Sequence, residues 1–159
     1  MKDQYLISIH LIERLHRRFL DVIKAELDRL GIEDINNVQT LILFNINEEQ
    51  LTVGELTARG YYLGSNVSYN LKKLVENEYL VQERSLHDRR MTRVRLSPKG
   101  LELTARIGEL YRRNSDELAS RYVTEEQLRQ ANQVLMSLER YWSSQIGFGA
   151  ALGPMELEG

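Results

Sequence analysis

Cysteine is absent from the 159-residue chain. Its absence excludes disulfides, thiolate nucleophiles and cysteine-ligated zinc, and fits a reducing, cytoplasmic compartment. Proline is nearly absent: Pro98 and Pro154 are the two present, so long unbroken helices are permitted. No stretch approaches the ~18 uncharged apolar residues of a membrane span. The opening "MKDQYLISIHLIERLHRRF" is broken by acids and bases within any window of signal-peptide length. Histidine is scarce, and His10 and His16 lie six apart rather than the four that puts two ligands on one helical face. "GYYLG" is followed by no Lys-Ser/Thr, so it makes no phosphate loop, and no Gly-x-Ser-x-Gly, His-Glu-x-x-His or paired-carboxylate pattern occurs. The expectation is a cytoplasmic protein that is not an enzyme and holds no metal or cofactor.

What is present is an ordinary globular composition, 42% hydrophobic and 28% charged, with a divided charge. The formal net charge is -2. Yet residues 61–100 carry eight basic and four acidic side chains, leaving 13 basic and 19 acidic for the rest. The densest part is "SLHDRRMTRVRLSPKG", residues 85–100, with five bases and one acid. A basic middle in an acidic chain suggests that the middle meets a polyanion.

Periodicity sets the elements. Tyr5, Ile9, Ile12, His16, Phe19, Ile23, Leu27 and Leu30 recur at three- and four-residue steps and predict one helix over 3–30, stopped by Gly31. Leu6, Leu11, Leu15, Leu20 and Val22 add apolar surface on its other sides, more than one core-facing stripe requires. A second helix is predicted from about Asp34 to Asn47, with "VQTLILF" deep in the core. "TVGE" opens a short third helix with a Thr52/Glu55 capping box, Val53 and Leu56 facing inward, and Gly60 as its stop.

"GSNVSYNLKKLVENEYL" opens a fourth helix with Gly64 or Ser65 as cap. Its phase puts Val67, Leu71, Leu74 and Glu78 on one side, and Ser65, Tyr69, Lys72, Lys73 and Glu76 on the other, flanked by Asn66 and Ser68. The period then falls to two. "YLVQERS" and "TRVRLS" read as strands joined by "LHDRRM", with Val94 and Leu96 facing one way and Arg93 and Arg95 the other. Ser97 and Pro98 begin a long helix over 98–121. Thr124 with Gln127 begins a last one, seamed by Leu128, Ala131, Leu135, Leu138 and Trp142. The Gly-rich tail "GFGAALGPMELEG" is expected to fray.

A short helix, a tight turn and a second helix with a polar outer face make a helix-turn-helix, and the hairpin after it makes a wing. Such a helix fits the major groove of double-stranded DNA. Ser65, Asn66, Ser68 and Tyr69 would meet base edges or phosphates, and Lys72 and Lys73 would pair with phosphates. Arg89 and Arg90 at the hairpin tip would enter the minor groove, where the negative potential favours arginine, and Arg93 points outward behind them. The alternative is a winged-helix protein-interaction module that binds no DNA. The outward Lys72, Lys73, Arg89 and Arg93 favour DNA.

"DRRMTRVRLSPKG", Asp88 to Gly100, resembles the wing signature of the MarR family of winged-helix transcriptional regulators: Asp-x-Arg, a spacer, Val-x-Leu-Thr/Ser, two residues, Gly. "VSYNLKKLVENEYLVQE" is similar to that family's recognition helix and first wing strand, and the helix order matches over nearly the whole chain. "RGYYLGSNVSYNLKKLVE" further resembles the LdtR-like bacterial subgroup. Tyr69 stands where many members carry arginine, so base preference does not carry over.

The resemblance implies a mainly α fold with a small β-hairpin wing (α+β), a winged helix-turn-helix flanked by long dimerisation helices. The boundaries are 1–33 for the N-terminal dimerisation helix, 34–97 for the DNA-binding domain, 98–147 for the C-terminal dimerisation helices and 148–159 for the tail. It implies a homodimer on a pseudo-palindromic operator, with Asp88 orienting the wing tip. It also implies a pocket for a small aromatic or carboxylate effector between the dimer helices and the winged helix. Thr40, Asn45, Tyr61 and Tyr62 are candidates to line it, and His10 and Arg14 could face the same space, Arg14 holding a carboxylate. Against this, Thr40 could bond the carbonyl one turn back and the tyrosines could pack on the core.

Overall fold

The computed structural model describes residues 1–47, 49–58, 64–84, 86–88 and 91–146, with the backbone alone at 58, 64 and 65. The chain runs α1 Lys2–Leu30, α2 Asn37–Ile46, β1 Leu51–Thr52, α3 Val53–Ala58, α4 Gly64–Glu76, β2 Leu80–Arg84, β3 Thr92–Leu96, α5 Pro98–Arg121 and α6 Glu125–Gln145. It falls into two compact units, Met1–Leu110 and Tyr111–Gly159.

Within the first unit, α1 ends where the periodicity predicts. Gly31 adopts φ +70°, and its amide donates to the carbonyls of Asp28 and Leu27. That left-handed conformation favours glycine. Of the 29 residues of α1, Ile23, Glu26 and Leu27 are buried, while Tyr5, Leu6, Ile7, Leu11, Leu15, Phe19 and Val22 remain exposed. The buried Glu26 carboxylate receives two hydrogen bonds from Arg29, at 2.9 and 2.6 Å.

α2 starts at Asn37 rather than Asp34. Asn36 fixes that start: its side chain accepts from the amide of Gln39 at 2.8 Å, and the Gln39 side chain accepts from the amide of Asn36 at 3.0 Å. This reciprocal cap satisfies two amides at the helix start that have no acceptor within the helix. Ile42, Leu43 and Ile46 of α2 join Ile23, Val67, Leu74 and Ile107 as the least exposed hydrophobic core side chains. Each such burial stabilises by about 1.5–3 kcal/mol.

The sheet has three strands rather than the two of a simple hairpin. β1 pairs antiparallel with β3, Leu51 opposite Val94 and Thr52 opposite Arg93. β2 pairs with the other edge of β3, from Leu80 opposite Leu96 to Arg84 opposite Thr92. Two residues leave no alternation to detect, which is why β1 escapes a sequence reading. The capping box expected at α3 is present: Thr52 Oγ1 accepts from the Glu55 amide at 3.1 Å, and Glu55 Oε2 accepts from the Thr52 amide at 2.7 Å. Leu56 is buried and Val53 half-buried. Gly60, the expected stop, lies outside the described residues.

Gly64 and Ser65 lie inside the first turn of α4 rather than capping it. First-turn amides need no acceptor within the helix, so weak helix formers are tolerated there. Val67, Leu71 and Leu74 are buried as their phase requires. Glu78 does not share that side. It lies past the helix end at φ +64°, exposed, where the chain turns into β2. Ser97 caps α5, its Oγ accepting from the Gly100 amide at 3.0 Å.

The second unit begins within α5 and includes α6, which opens with the Thr124/Gln127 capping box. No residue of α6 is buried. Leu128, Val134, Leu135 and Tyr141 are exposed, and Leu138 and Trp142 half-buried.

Candidate nucleic-acid interface

The buried stripe of α4 fixes what the helix shows to solvent. Asn66, Ser68, Tyr69 and Lys72 are exposed on its outer side, and Lys73 is half-buried. Tyr69 keeps 59% of its surface exposed, so it covers little of the core. Ser65 lies one turn before Tyr69, and only its backbone is described.

The charge at the C-terminal end of this face is smaller than the two lysines suggest. Glu76 pairs with both Lys72 at 3.9 Å and Lys73 at 3.2 Å. The Lys73 ammonium also lies 5.9 Å from the centroid of the Tyr69 ring. The hydrogen bond to Glu76, the charge of Glu76 and the neighbouring Tyr69 raise the Lys73 pKa. Lys73 therefore stays charged, but it shares one carboxylate with Lys72.

On β3, Val94 and Leu96 are buried while Arg93 and Arg95 are exposed. The two arginines differ. Arg95 Nε donates to Glu83 Oε1 at 2.9 Å, across the β2–β3 pair, and Gln50 Nε2 donates to the other oxygen of Glu83 at 2.9 Å. Among the described residues no such contact holds Arg93. Asp88 is exposed, and its carbonyl accepts from the Met91 amide at 2.9 Å to turn the tip. Leu86 is 99% exposed there. Arg89 and Arg90 lie outside the described residues.

Two contacts escaped the sequence reading. The neutralisation of Arg95 by Glu83 needs the strand register. Gln39 Nε2 donates to Asn70 Oδ1 at 3.2 Å, tying the middle of α4 to α2. No local pattern links residues 31 positions apart.

Four of the candidate effector residues, His10, Arg14, Thr40 and Asn45, are described, and they do not line one depression together. His10 and Arg14 are exposed on α1. Arg14 lines a surface depression of about 430 Å³ with Arg17, Arg18, Leu20, Asp21 and Asn37. Thr40 and Asn45 are not among its lining residues. Thr40 is buried, and its hydroxyl donates to the Asn36 carbonyl at 2.9 Å, one turn back. Asn45 is half-buried. Tyr61 and Tyr62 lie outside the described residues. A second depression, of about 360 Å³, runs beside α4 between Val53, Leu71, Val75 and Val94, with Ser68 and Lys72 on its rim. No group of three or more potential metal ligands occurs among the described residues. No described helix is long and apolar enough to cross a membrane.

Known proteins share this fold. Residues 35–100 match the model of a winged helix DNA-binding domain family. The structure of Staphylococcus aureus MarR in complex with salicylate and kanamycin superposes with a TM-score of 0.71 at 23% identity, covering 90% of this chain and 93% of that one. Streptococcus pneumoniae FabT in complex with DNA superposes with a TM-score of 0.70 at 18% identity, covering 89% of this chain and 99% of that one. The exopolysaccharide II synthesis transcriptional activator ExpG of Rhizobium meliloti is 38% identical over 145 residues, which is 91% of this chain and 75% of the relative. The shared sequence and the winged-helix architecture together place this chain in the MarR family of DNA-binding transcriptional regulators.

Proposed function

We propose that the protein acts as a homodimer on a pseudo-palindromic operator, reading each half-site with the outer face of α4. The carrying observation is the division of that helix: Val67, Leu71 and Leu74 are buried, leaving Asn66, Ser68, Tyr69 and Lys72 to face a partner. In this reading Ser65, Asn66, Ser68 and Tyr69 meet bases or nearby phosphates in the major groove. Lys72, Lys73 and Arg93 take phosphates, and Arg89 and Arg90 enter the minor groove with Asp88 shaping the tip. Residues 34–97 bind DNA, 1–33 and 98–147 dimerise, and 148–159 form the tail. The exposed apolar surfaces of α1 and α6 support dimerisation.

The activator among its relatives supports positive control of transcription by this chain. The complex of the staphylococcal relative with salicylate supports response to a small aromatic acid. Here Arg14 would supply the cation, with His10, Thr40, Asn45, Tyr61 and Tyr62 as the remaining candidates. Such a ligand weakens or strengthens DNA binding only through its differential affinity for the two states of the dimer.

Selection of bound duplexes from a random library is the decisive experiment. It should return a two-fold symmetric site with half-sites about 10 base pairs apart. Failure to enrich any duplex, with binding to random DNA insensitive to salt, would favour the protein-interaction reading instead.

A further inference from the structure

Polar contacts from three directions converge on the short connection between α1 and α2. Tyr79 Oη donates to Asp34 Oδ1 at 2.8 Å, and Lys99 Nζ donates to Asp34 Oδ2 at 2.9 Å. Asn77 Nδ2 donates to the backbone carbonyl of Asp34 at 2.7 Å, and Lys99 Nζ also donates to the carbonyl of Asn77 at 2.9 Å. The Lys99 ammonium sits 4.2 Å from the centre of the Tyr79 ring. Asn77 and Tyr79 belong to the turn that leaves α4, and Lys99 to the first turn of α5. Five residues on from Asp34, Gln39 holds Asn70 in the middle of α4. Residues 34–39 therefore grip α4 at its centre and just past its end.

Stability alone does not account for this convergence. The Asp34–Lys99 pair is exposed, 42% and 46% for the two side chains, and exposed ion pairs contribute little. What the cluster supplies is direction. Asp34 spends both carboxylate oxygens and its carbonyl on three different side chains, so it fixes where the α4 exit lies relative to α1 and α5. Base-edge hydrogen bonds tolerate only a few tenths of an ångström. A helix whose exit drifts loses them while keeping most of its phosphate contacts.

We infer that Asp34 and Lys99 are positioning residues for sequence-specific DNA recognition, acting through Asn77 and Tyr79 on the pose of α4 without touching DNA. The inference rests on the reading of α4 as the base-reading helix. It carries a sign that electrostatics opposes. Asp34→Asn removes a negative charge from a DNA-binding domain, and charge alone would tighten binding to every duplex.

The test uses the full-length protein, the duplex recovered by selection, and a random duplex of equal length. For Asp34→Asn and Lys99→Met, affinity for the selected duplex should fall ~10-fold, the size of effect seen for residues remote from a ligand. Affinity for random DNA should change by less than about twofold, and the salt slope should hold within about half a unit. Lys99→Arg, which keeps the cation, should restore most of the preference. Equal or tighter binding of the selected duplex by Asp34→Asn overturns the inference. So does a salt slope that drops by about one in Lys99→Met, which marks a phosphate contact. If Asp34→Asn fails to fold by circular dichroism, Tyr79→Phe decides: reduced preference supports the inference, and unchanged preference overturns it. Wild-type protein that prefers no duplex defeats the proposed function itself, a result distinct from variants that behave like the wild type.

Discussion

A Cβ placed on Gly100 would overlap the carbonyl oxygen of Tyr79. That carbonyl already accepts from the Ser97 amide and the Ser97 hydroxyl, both at 3.0 Å. The glycine closing the wing signature is thus required by a close backbone approach, since it stands where the first turn of α5 passes over the start of β2. Gly100→Ala should destabilise by about 1–3 kcal/mol, the cost of overpacking against atoms that cannot move away. Gly108, also in α5, has no atom within 4 Å of its would-be Cβ. Gly108→Ala should be neutral or stabilising by up to about 1 kcal/mol. Urea unfolding of both variants checks the contrast, and equal losses would refute it.

The Asp34 cluster gives two opposite pH responses. Burial pushes the Asp34 carboxyl up, but hydrogen bonds from Lys99 and Tyr79 and the Lys99 charge outweigh it, so its pKa is lowered. A lowered folded pKa contributes stability that is present above the unfolded value of ~3.9 and lost as pH falls through the folded one. Burial, the hydrogen bond to Asp34 and the Asp34 charge push the Tyr79 phenol well above its ordinary value. That contribution is present below the unfolded value of ~10 and lost as pH rises further. The stability gap between wild type and Asp34→Asn should therefore shrink in acid, and that between wild type and Tyr79→Phe should shrink in alkali. Unfolding free energies measured across pH read both gaps, and gaps independent of pH would count against the account.

Arg93 and Arg95 project from the same side of β3, but Glu83 neutralises only Arg95 among the described contacts. Arg93→Ala should lower the slope of log affinity against log salt by about one, whereas Arg95→Ala should leave it nearly unchanged. Arg89→Ala and Arg90→Ala provide the comparison at the tip, where at least one should behave like Arg93→Ala. Fluorescence anisotropy at several salt concentrations measures all four. Equal slopes for the Arg93 and Arg95 variants would mean that Glu83 releases its partner on DNA.

Leu135 is exposed near the centre of α6, in a helix with no buried residue. Leu135→Asp should convert the protein from dimer to monomer at micromolar concentration while preserving the fold of residues 1–110, because an unpaired carboxylate is costly in an apolar interface. Analytical ultracentrifugation decides, and a wild-type protein that sediments as a folded monomer would remove the basis of the prediction.

Most of the architecture was legible because helices and strands leave different periods. The stripe Val67–Leu71–Leu74 and the alternation of Arg93, Val94, Arg95 and Leu96 each follow from side-chain burial along a regular backbone, whereas of the apolar steps of α1 only Ile23 and Leu27 are buried. Most of the missed features depend on partners distant in sequence. β1 exists because Leu51 meets Val94, Arg95 is neutralised because Glu83 lies across the strand pair, and Asp34 matters because Tyr79 and Lys99 reach it. Local errors had a local cause as well. Asn36 outcompeted Asp34 as the start of α2 because its side chain could complete a reciprocal cap with Gln39. The exposed face of α4 was legible as a surface, and the sharing of Glu76 by Lys72 and Lys73 is a local signal carried by their four- and three-residue spacing along one helix.

The middle strand of the sheet is the last of the three to be synthesised. β1 finds its hydrogen-bond partner only when Thr92 to Leu96 has left the ribosome, more than 40 residues after Leu51. Until then the start of α3 has no strand to rest against, and Leu51 has no Val94 to cover it. The pairing that supports the start of α3 is therefore completed only after the second wing strand is present. Closing a loop of this length costs chain entropy before the β1–β3 pairing repays it. The order of the strands thus leaves the sheet that flanks the helix-turn-helix incomplete until residues 92–96 have been made.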